Sequence, residues 1–253
     1  MKISNALAVV TGGASGLGNG VAQHIRAQGG KVAILDWQED TGKAAAQSIG
    51  ATFHKCDVTS ESQVNAAMTA ARDAMGGINL LVNCAGVIGA GRVLGKEGPM
   101  PGEFFTKVVM INLVGTFLCD KAAAAIMQDN APAEDGERGV LIHTSSVAAF
   151  EGQIGQAAYS ATKAAVAGMT LPMARELARV GIRCMTIAPG TFLTPMVASM
   201  TPELQDSLGK QVPFPQRLGR PDEFARLVQS IFEISMLNGE TIRLDGAIRM
   251  QPK

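Results

Sequence analysis

The stretch ALAVVTGGASGLGNGVAQHIRAQGG, residues 6–30, decides the fold. It opens on a short apolar run, Ala6 to Val10, of the kind that forms a buried strand. Thr11 to Gly18 follows as TGGASGLG, with glycines at 12, 13, 16 and 18. Beyond it, Val21, Ala22 and Ile25 recur at helical spacing until Gly29 and Gly30 stop the run. Strand, glycine turn and helix in this order begin a βαβ unit. Glycines let such a turn approach a pyrophosphate, and the helix start directs its free N–H groups at the anion. The spacing from Gly12 is Gly-x-x-x-Gly-x-Gly, not the commoner G-x-G-x-x-G. Gly12, Gly16 and Gly18 are therefore candidate dinucleotide contacts.

The same alternation continues outward. KVAILD (31–36), ATFHKCDV (51–58), INLLVNCAG (78–86), GVLIHTSS (139–146), IRCMTIAPG (182–190) and ETIRLDG (240–246) read as further strands, with helical patterns between them. Near-continuous apolar strands belong in a parallel sheet covered on both faces. The expected fold is α/β: a single-domain, doubly wound parallel β-sheet, Rossmann-like, over residues 1–253. Two segments break the rhythm: residues 86–103, rich in glycine and proline, and residues 191–219, which mix Phe, Met and Pro with weak helical periodicity. Both begin at the carboxyl end of a strand, where ligands bind in such sheets, and both are expected as loops around the site.

Composition narrows the function classes. Hydrophobic residues make up 47% of the 253 and charged residues 17%, with 22 basic against 22 acidic side chains. A neutral chain has no field to attract nucleic acid or an acidic membrane surface, so neither is expected as a partner. Near a pI of about 6.8 it also lacks repulsion between copies, which favours an oligomer. Cys56, Cys84, Cys119 and Cys184 form no CxxC pair and have no metal-ligand spacing to His24, His54 or His143. They read as free buried thiols in a reducing compartment, and no metal is expected. The N-terminus lacks a signal-like h-region, and no window of about 18 uninterrupted apolar residues stands out, so the expected location is cytoplasmic.

Strand ends supply further candidates. Asp36 closes the second strand, where a carboxylate accepts from adenosine ribose hydroxyls and repels a 2′-phosphate. Trp37 and Gln38 follow it with no cation, so NAD is expected over NADP. Asp36 could also cap the next helix. Asp57, Val58, Ala85 and Gly86 stand at the next two strand ends, small or polar, with Asp57 placed to accept from an adenine amino group. At the fifth strand end stands Ser146, and thirteen residues later comes Tyr159, the one tyrosine of the chain. Lys163 follows four positions on, so phenol and ammonium share a helix face. A phenol titrates near 10, and a neighbouring ammonium together with a positive nicotinamide ring lowers that value. Tyr159 then exchanges the proton while Ser146 holds the substrate oxygen and hydride moves to or from the nicotinamide. His143, in mid-strand, reads as a packed core residue.

These residues together resemble the short-chain dehydrogenases/reductases over essentially the whole chain. The likeness rests on Thr11–Gly18, Asp36, Asp57, NCAG at 83–86, Asn112 in INLVGTF, the Ser146–Tyr159–Lys163 set, and APG at 188–190. The resemblance implies that Asn112 completes a proton relay through Lys163 and water, and it adds Pro189 to the cofactor contacts. SSVAAFEGQIGQAAYSATK, MTIAPGTFLTP and LNGETIRLDGAIRMQP are similar to one branch, the type-2 3-hydroxyacyl-CoA dehydrogenases, also described as type-10 17β-hydroxysteroid dehydrogenases. That resemblance implies NAD contacts at Ser15, Leu17, Asp36, Asp57, Val58, Cys84, Tyr159, Lys163 and Phe192, and a substrate contact at Ser146. It implies an acyl-CoA thioester as substrate, and a homotetramer with helices near 103–128 and 155–179 between subunits. Residues 86–103 are the least similar part. Three other readings stay open: a hydroxysteroid or other secondary-alcohol dehydrogenase, a 3-oxoacyl-carrier-protein reductase, and a non-enzymatic scaffold.

Overall fold

Strand β1 (Leu7–Thr11) is apolar up to its closing Thr11, because neighbours cover it on both edges and both faces. In the computed structural model, which describes residues 1–96 and 98–252, the chain continues through α1 (Gly16–Ala27), β2 (Lys31–Asp36), α2 (Glu39–Ile49), β3 (Thr52–Lys55), α3 (Glu61–Met75) and β4 (Leu80–Asn83). After β4 come a small hairpin, β5 (Leu94–Gly95) and β6 (Gly98–Pro99), then α4 (Gly102–Val109), a π-helical turn at Met110–Val114 and α5 (Gly115–Met127). The second half runs β7 (Gly139–Thr144), α6 (Ala157–Leu177), β8 (Ile182–Pro189), α7 (Pro195–Ala198), α8 (Pro202–Lys210), α9 (Pro221–Glu233) and β9 (Thr241–Leu244). The main sheet has the order β3-β2-β1-β4-β7-β8-β9, parallel at every pairing. The order reverses between β1 and β4, and the crevice beyond those strand ends is where such a sheet takes its ligand.

Alternating side chains build two cores. Val10, Ile34, Val82 and Ile142 point to one face, against Val21 and Ile25 of α1 and Val228 and Phe232 of α9. Val9, Leu35, Leu81 and Leu141 point to the other, against Val64 and Met68 of α3 and Met127 of α5. Each fully buried Leu, Ile or Phe contributes about 1.5–3 kcal/mol relative to exposure. The sheet therefore rests on a period-two pattern that the sequence displays openly.

Both irregular segments hold more structure than expected. Residues 86–103 contain the β5–β6 hairpin, and residues 191–219 contain the short helices α7 and α8, each with proline at its first turn. Proline there is compatible with helix because the first N–H groups need no intrahelical partner. The run Gly102–Met127 has mean hydropathy 1.5 and passes a test of length and composition for crossing a membrane. In the fold it packs against α3, α6 and the sheet, with Phe105, Met110 and Phe117 exposed along it.

His143 is buried as expected, yet it is not a plain packing residue. Its Nε2 lies 2.9 Å from Asp120 Oδ2, both side chains fully buried. Burial alone disfavours the imidazolium, but the Asp120 carboxylate outweighs it, with lesser contributions from Cys184, and His143 is raised to about 10. A raised histidine adds stability that is complete below its unfolded value near 6.5 and is lost as pH rises toward about 10. Loss of that proton leaves the Asp120 carboxylate buried without its counter-charge. The melting temperature should fall by on the order of 5–10 °C between pH 7 and pH 10. Calorimetry on the parent and on Asp120→Leu/His143→Leu checks this: the double variant should lack that alkaline decline, and equal declines would refute it.

Candidate active site

The glycine turn fits as tightly as a backbone can. Gly12 has φ +64°, and a Cβ there would stand 2.7 Å from the Ala85 backbone nitrogen. A Cβ on Gly18 would stand 2.4 Å from the Gly12 carbonyl oxygen. The turn thus lies flat against the Asn83–Gly86 strand end, and Thr11 Oγ1 accepts from Ala85 N at 3.2 Å to fix the contact. Ser15 is the N-cap of α1, but its hydroxyl makes no cap bond, and the first turn carries no acidic residue. The donors at this helix start remain available to an anion.

Asp36 is 8% exposed and held by two backbone donors. Ala14 N donates to Oδ2 at 3.1 Å and Gln38 N to Oδ1 at 3.0 Å. The expectation that Asp36 also caps the next helix is corrected, since Gln38 occupies the N-cap of α2. No cation lies within ion-pair distance of Asp36 among the described residues. Asp57 is exposed, with Oδ1 accepting from the amide and hydroxyl of Thr59 at 2.9 and 2.8 Å. Val58 is buried beside it, against Gly115 at the start of α5. A crevice shaped by backbone at Gly12, Gly18 and Gly86, with free helix donors at one end and an oriented carboxylate at the other, suits a dinucleotide.

Opposite lie the candidate chemical groups. Ser146 caps a 3₁₀ turn by accepting from Ala148 N at 3.1 Å, and its hydroxyl lies near enough to the Tyr159 phenol to oppose the effect of burial on it. Lys163, one turn further along α6, is 6% exposed. Its Nζ donates to the Thr144 carbonyl at 2.7 Å and lies 5.7 Å from the Tyr159 ring centre. Burial pushes the Lys163 ammonium down to about 8. Burial also raises the Tyr159 phenol, with Ser146 opposing. The expected lowering by Lys163 is therefore not present in the chain by itself, where removal from water raises the phenol. Cys84 Sγ sits 3.5 Å from Thr144 Oγ1, and burial raises that thiol to about 11, so it stays protonated at neutral pH.

Asn112 lies in the π-helical turn, fully buried. Its Oδ1 accepts from Val87 N at 2.8 Å, and its Nδ2 donates to Val87 O at 2.9 Å and Thr162 Oγ1 at 3.1 Å. The amide clamps the residue after Gly86 to the catalytic helix, and a Cβ on Gly86 would meet Asn112 Oδ1 at 3.1 Å and Lys163 Nζ at 3.6 Å. With its side chain so engaged, Asn112 positions the site. Pro189 ends β8. Phe192 is turned inward, its ring edge-on to Phe224 at 6.5 Å, so only its backbone remains to meet a ligand. Leu17 is half-buried against the core. Sequence reasoning missed Thr144 as the acceptor for Lys163, since a backbone carbonyl leaves no residue-type signal. It also missed an open cavity of about 590 Å³ lined by Arg92, Val93, Leu94, Ile154 and Gly155, beside the loop that leads into α6.

Comparison with known proteins agrees with this geometry. The family model described as short chain dehydrogenase matches residues 6–205. The 3-hydroxyacyl-CoA dehydrogenase type-2 of Drosophila melanogaster is 50% identical over 99% of this chain and 100% of its own length. The protein of that name from Homo sapiens is 49% identical over 99% of this chain and 98% of its own. The crystal structure of 3-hydroxyacyl-CoA dehydrogenase type-2 from Mycobacterium avium superposes with a TM-score of 0.93 at 41% identity, covering 100% of this chain and 98% of that one.

Because the chain has one tyrosine, an absorbance titration reads Tyr159 by itself. Followed alongside circular dichroism so that only folded protein is scored, the midpoint should lie above the ordinary 10. A midpoint at or below 10 would show that burial does not dominate the phenol.

Proposed function

The chain belongs to the short-chain dehydrogenase family, and from that premise we propose an NAD-dependent oxidoreductase that interconverts 3-hydroxyacyl-CoA and 3-oxoacyl-CoA. The observation that carries the reading is the Ser146–Tyr159 contact beside a buried Lys163, facing the glycine crevice. Full-length similarity to proteins named for that substrate supports the acyl-CoA assignment. When bound, the dinucleotide accepts or returns a hydride at its nicotinamide ring.

The protein supplies the rest. Ser146 donates a hydrogen bond to the substrate oxygen and so orients the reacting carbon. Tyr159 takes the hydroxyl proton in oxidation and returns it in reduction. Lys163, fixed by Thr144, favours phenolate once a further positive charge lies near. Asp36 accepts from the ribose hydroxyls and repels a 2′-phosphate, the reason for preferring NAD. The apolar cavity lined by Val93, Leu94 and Ile154 fits an acyl chain. It also fits a steroid, and relative kcat/KM for acetoacetyl-CoA against ketosteroids separates the two. Exposed Phe105, Met110 and Phe117 along Gly102–Met127 fit packing between copies in a homotetramer. The four unpaired cysteines fit a reducing, cytoplasmic setting.

Tyr159→Phe should lower kcat for acetoacetyl-CoA reduction by about 10²–10⁴-fold while leaving NADH affinity within a few-fold. Stopped assays of nicotinamide absorbance, with quenching of the lone Trp37 for affinity, check both; near-parent turnover would sink the mechanism. Asp36→Ala should cut the preference for NAD over NADP at least about tenfold, through the loss of one carboxylate interaction with the ribose. An unchanged ratio of kcat/KM values would remove Asp36 from that role.

A further inference from the structure

The Asp120–His143 pair sits one residue behind the reacting groups. Asn83 and His143 are register partners on β4 and β7, and the next residues, Cys84 and Thr144, line the site. One carboxylate from α5 ties both strand ends, accepting from Asn83 Nδ2 at 2.7 Å with Oδ1 and pairing His143 Nε2 at 2.9 Å with Oδ2. Asn83 Oδ1 in turn faces Thr11 Oγ1 at 3.5 Å, at the root of the glycine turn. On the far side, His143 Nδ1 meets Thr186 Oγ1 at 3.2 Å, and Thr186 meets Thr170 Oγ1 at 2.5 Å. Thr170 belongs to α6, the helix that carries Tyr159 and Lys163. Cys184 Sγ lies 3.8 Å from His143 Nε2 and completes the shell.

We propose that Asp120 and His143 are positioning residues for the reaction, locking the ends of β4 and β7 and the helix α6 so that Thr144 presents its carbonyl to Lys163 and the Cys84–Gly86 backbone stays flat against the glycine turn. Buried charges are costly unless paired and hydrogen-bonded, and here the bonds run to buried partners on β1, β4, β8 and α6. Two apolar residues in their places would fill the core, but would strip Asn83 Nδ2 of its acceptor and Thr186 of its bond to His143, leaving the strand ends unpinned. The inference rests on the oxidoreductase reading, whose own test is turnover by the parent; variant-to-parent ratios test only the positioning.

Three variants decide it. Asp120→Asn keeps an acceptor for Asn83 and can donate to a neutral His143, so kcat should stay within about threefold of the parent. Asp120→Leu should fold cooperatively but lose at least about tenfold in kcat with KM changed less than about threefold. Asp120→Leu/His143→Leu buries no unpaired charge and should show the same loss at parent-like thermal stability. NADH affinity and amide exchange at Ala85 and Gly86 give readouts independent of turnover: both should weaken in the leucine variants and hold in Asp120→Asn. Folded leucine variants with kcat within twofold of the parent, or Asp120→Asn failing as badly as Asp120→Leu, would overturn the proposal.

Discussion

A lysine ammonium with 6% exposure needs an acceptor that neither titrates nor moves, and the bond from Lys163 Nζ to the Thr144 carbonyl supplies it. A carboxylate in that place would neutralise the charge that the phenol requires, whereas a carbonyl dipole holds the ammonium and leaves its field largely intact. The displacement of Lys163 from 10.5 to about 8 corresponds to about 3 kcal/mol of disfavoured charging, a measure of how dry the floor is. Thr144 can serve because it ends a strand buried on both faces, where its carbonyl direction is set by the sheet. The position of the reacting groups is thus a consequence of strand register.

The same logic governs the cofactor side. Gly12 and Gly18 have no room for a side chain, so the turn is shaped by main chain against main chain, while Gly86 lies close against the side chains of Asn112 and Lys163. Main-chain surfaces hold their shape only if the strands behind them do not slip, and a parallel sheet under two apolar layers resists slipping. Asn112 adds a cross-link, tying Val87 to Thr162 and hence the cofactor floor to the catalytic helix. The π-helical turn around it places that amide inward without breaking the Gly102–Met127 helix.

Most of this was legible because it depends on pattern. Valine-rich strands, glycine turns and the Tyr159–Lys163 spacing follow from periodicity and from the few residue types that suit each task. Asp36 was legible as a strand-end carboxylate, although its second role is to bind the turn at Ala14 and not to cap α2. What escaped depended on partners distant in sequence. His143 in a strand looks like packing until Asp120, 23 positions earlier on α5, is seen to meet it. The edge-on packing of Phe192 against Phe224 of α9 likewise joins residues 32 positions apart. The hairpin at 94–99 and the helices at 195–210 are short and held by local turns, so they leave little periodicity to read.

The raised phenol is the feature that most constrains the chemistry. Without a second positive charge nearby, burial keeps Tyr159 protonated, and Ser146 lies beside it. A protonated phenol is a proton donor, the form that the proposed reduction of a carbonyl would require. The reverse direction would require the phenolate, which a bound cationic nicotinamide ring would favour by adding its charge to that of Lys163. A neutral reduced ring would bring no such help, so under the proposed function the protonation of Tyr159 would follow the form of the cofactor held beside it.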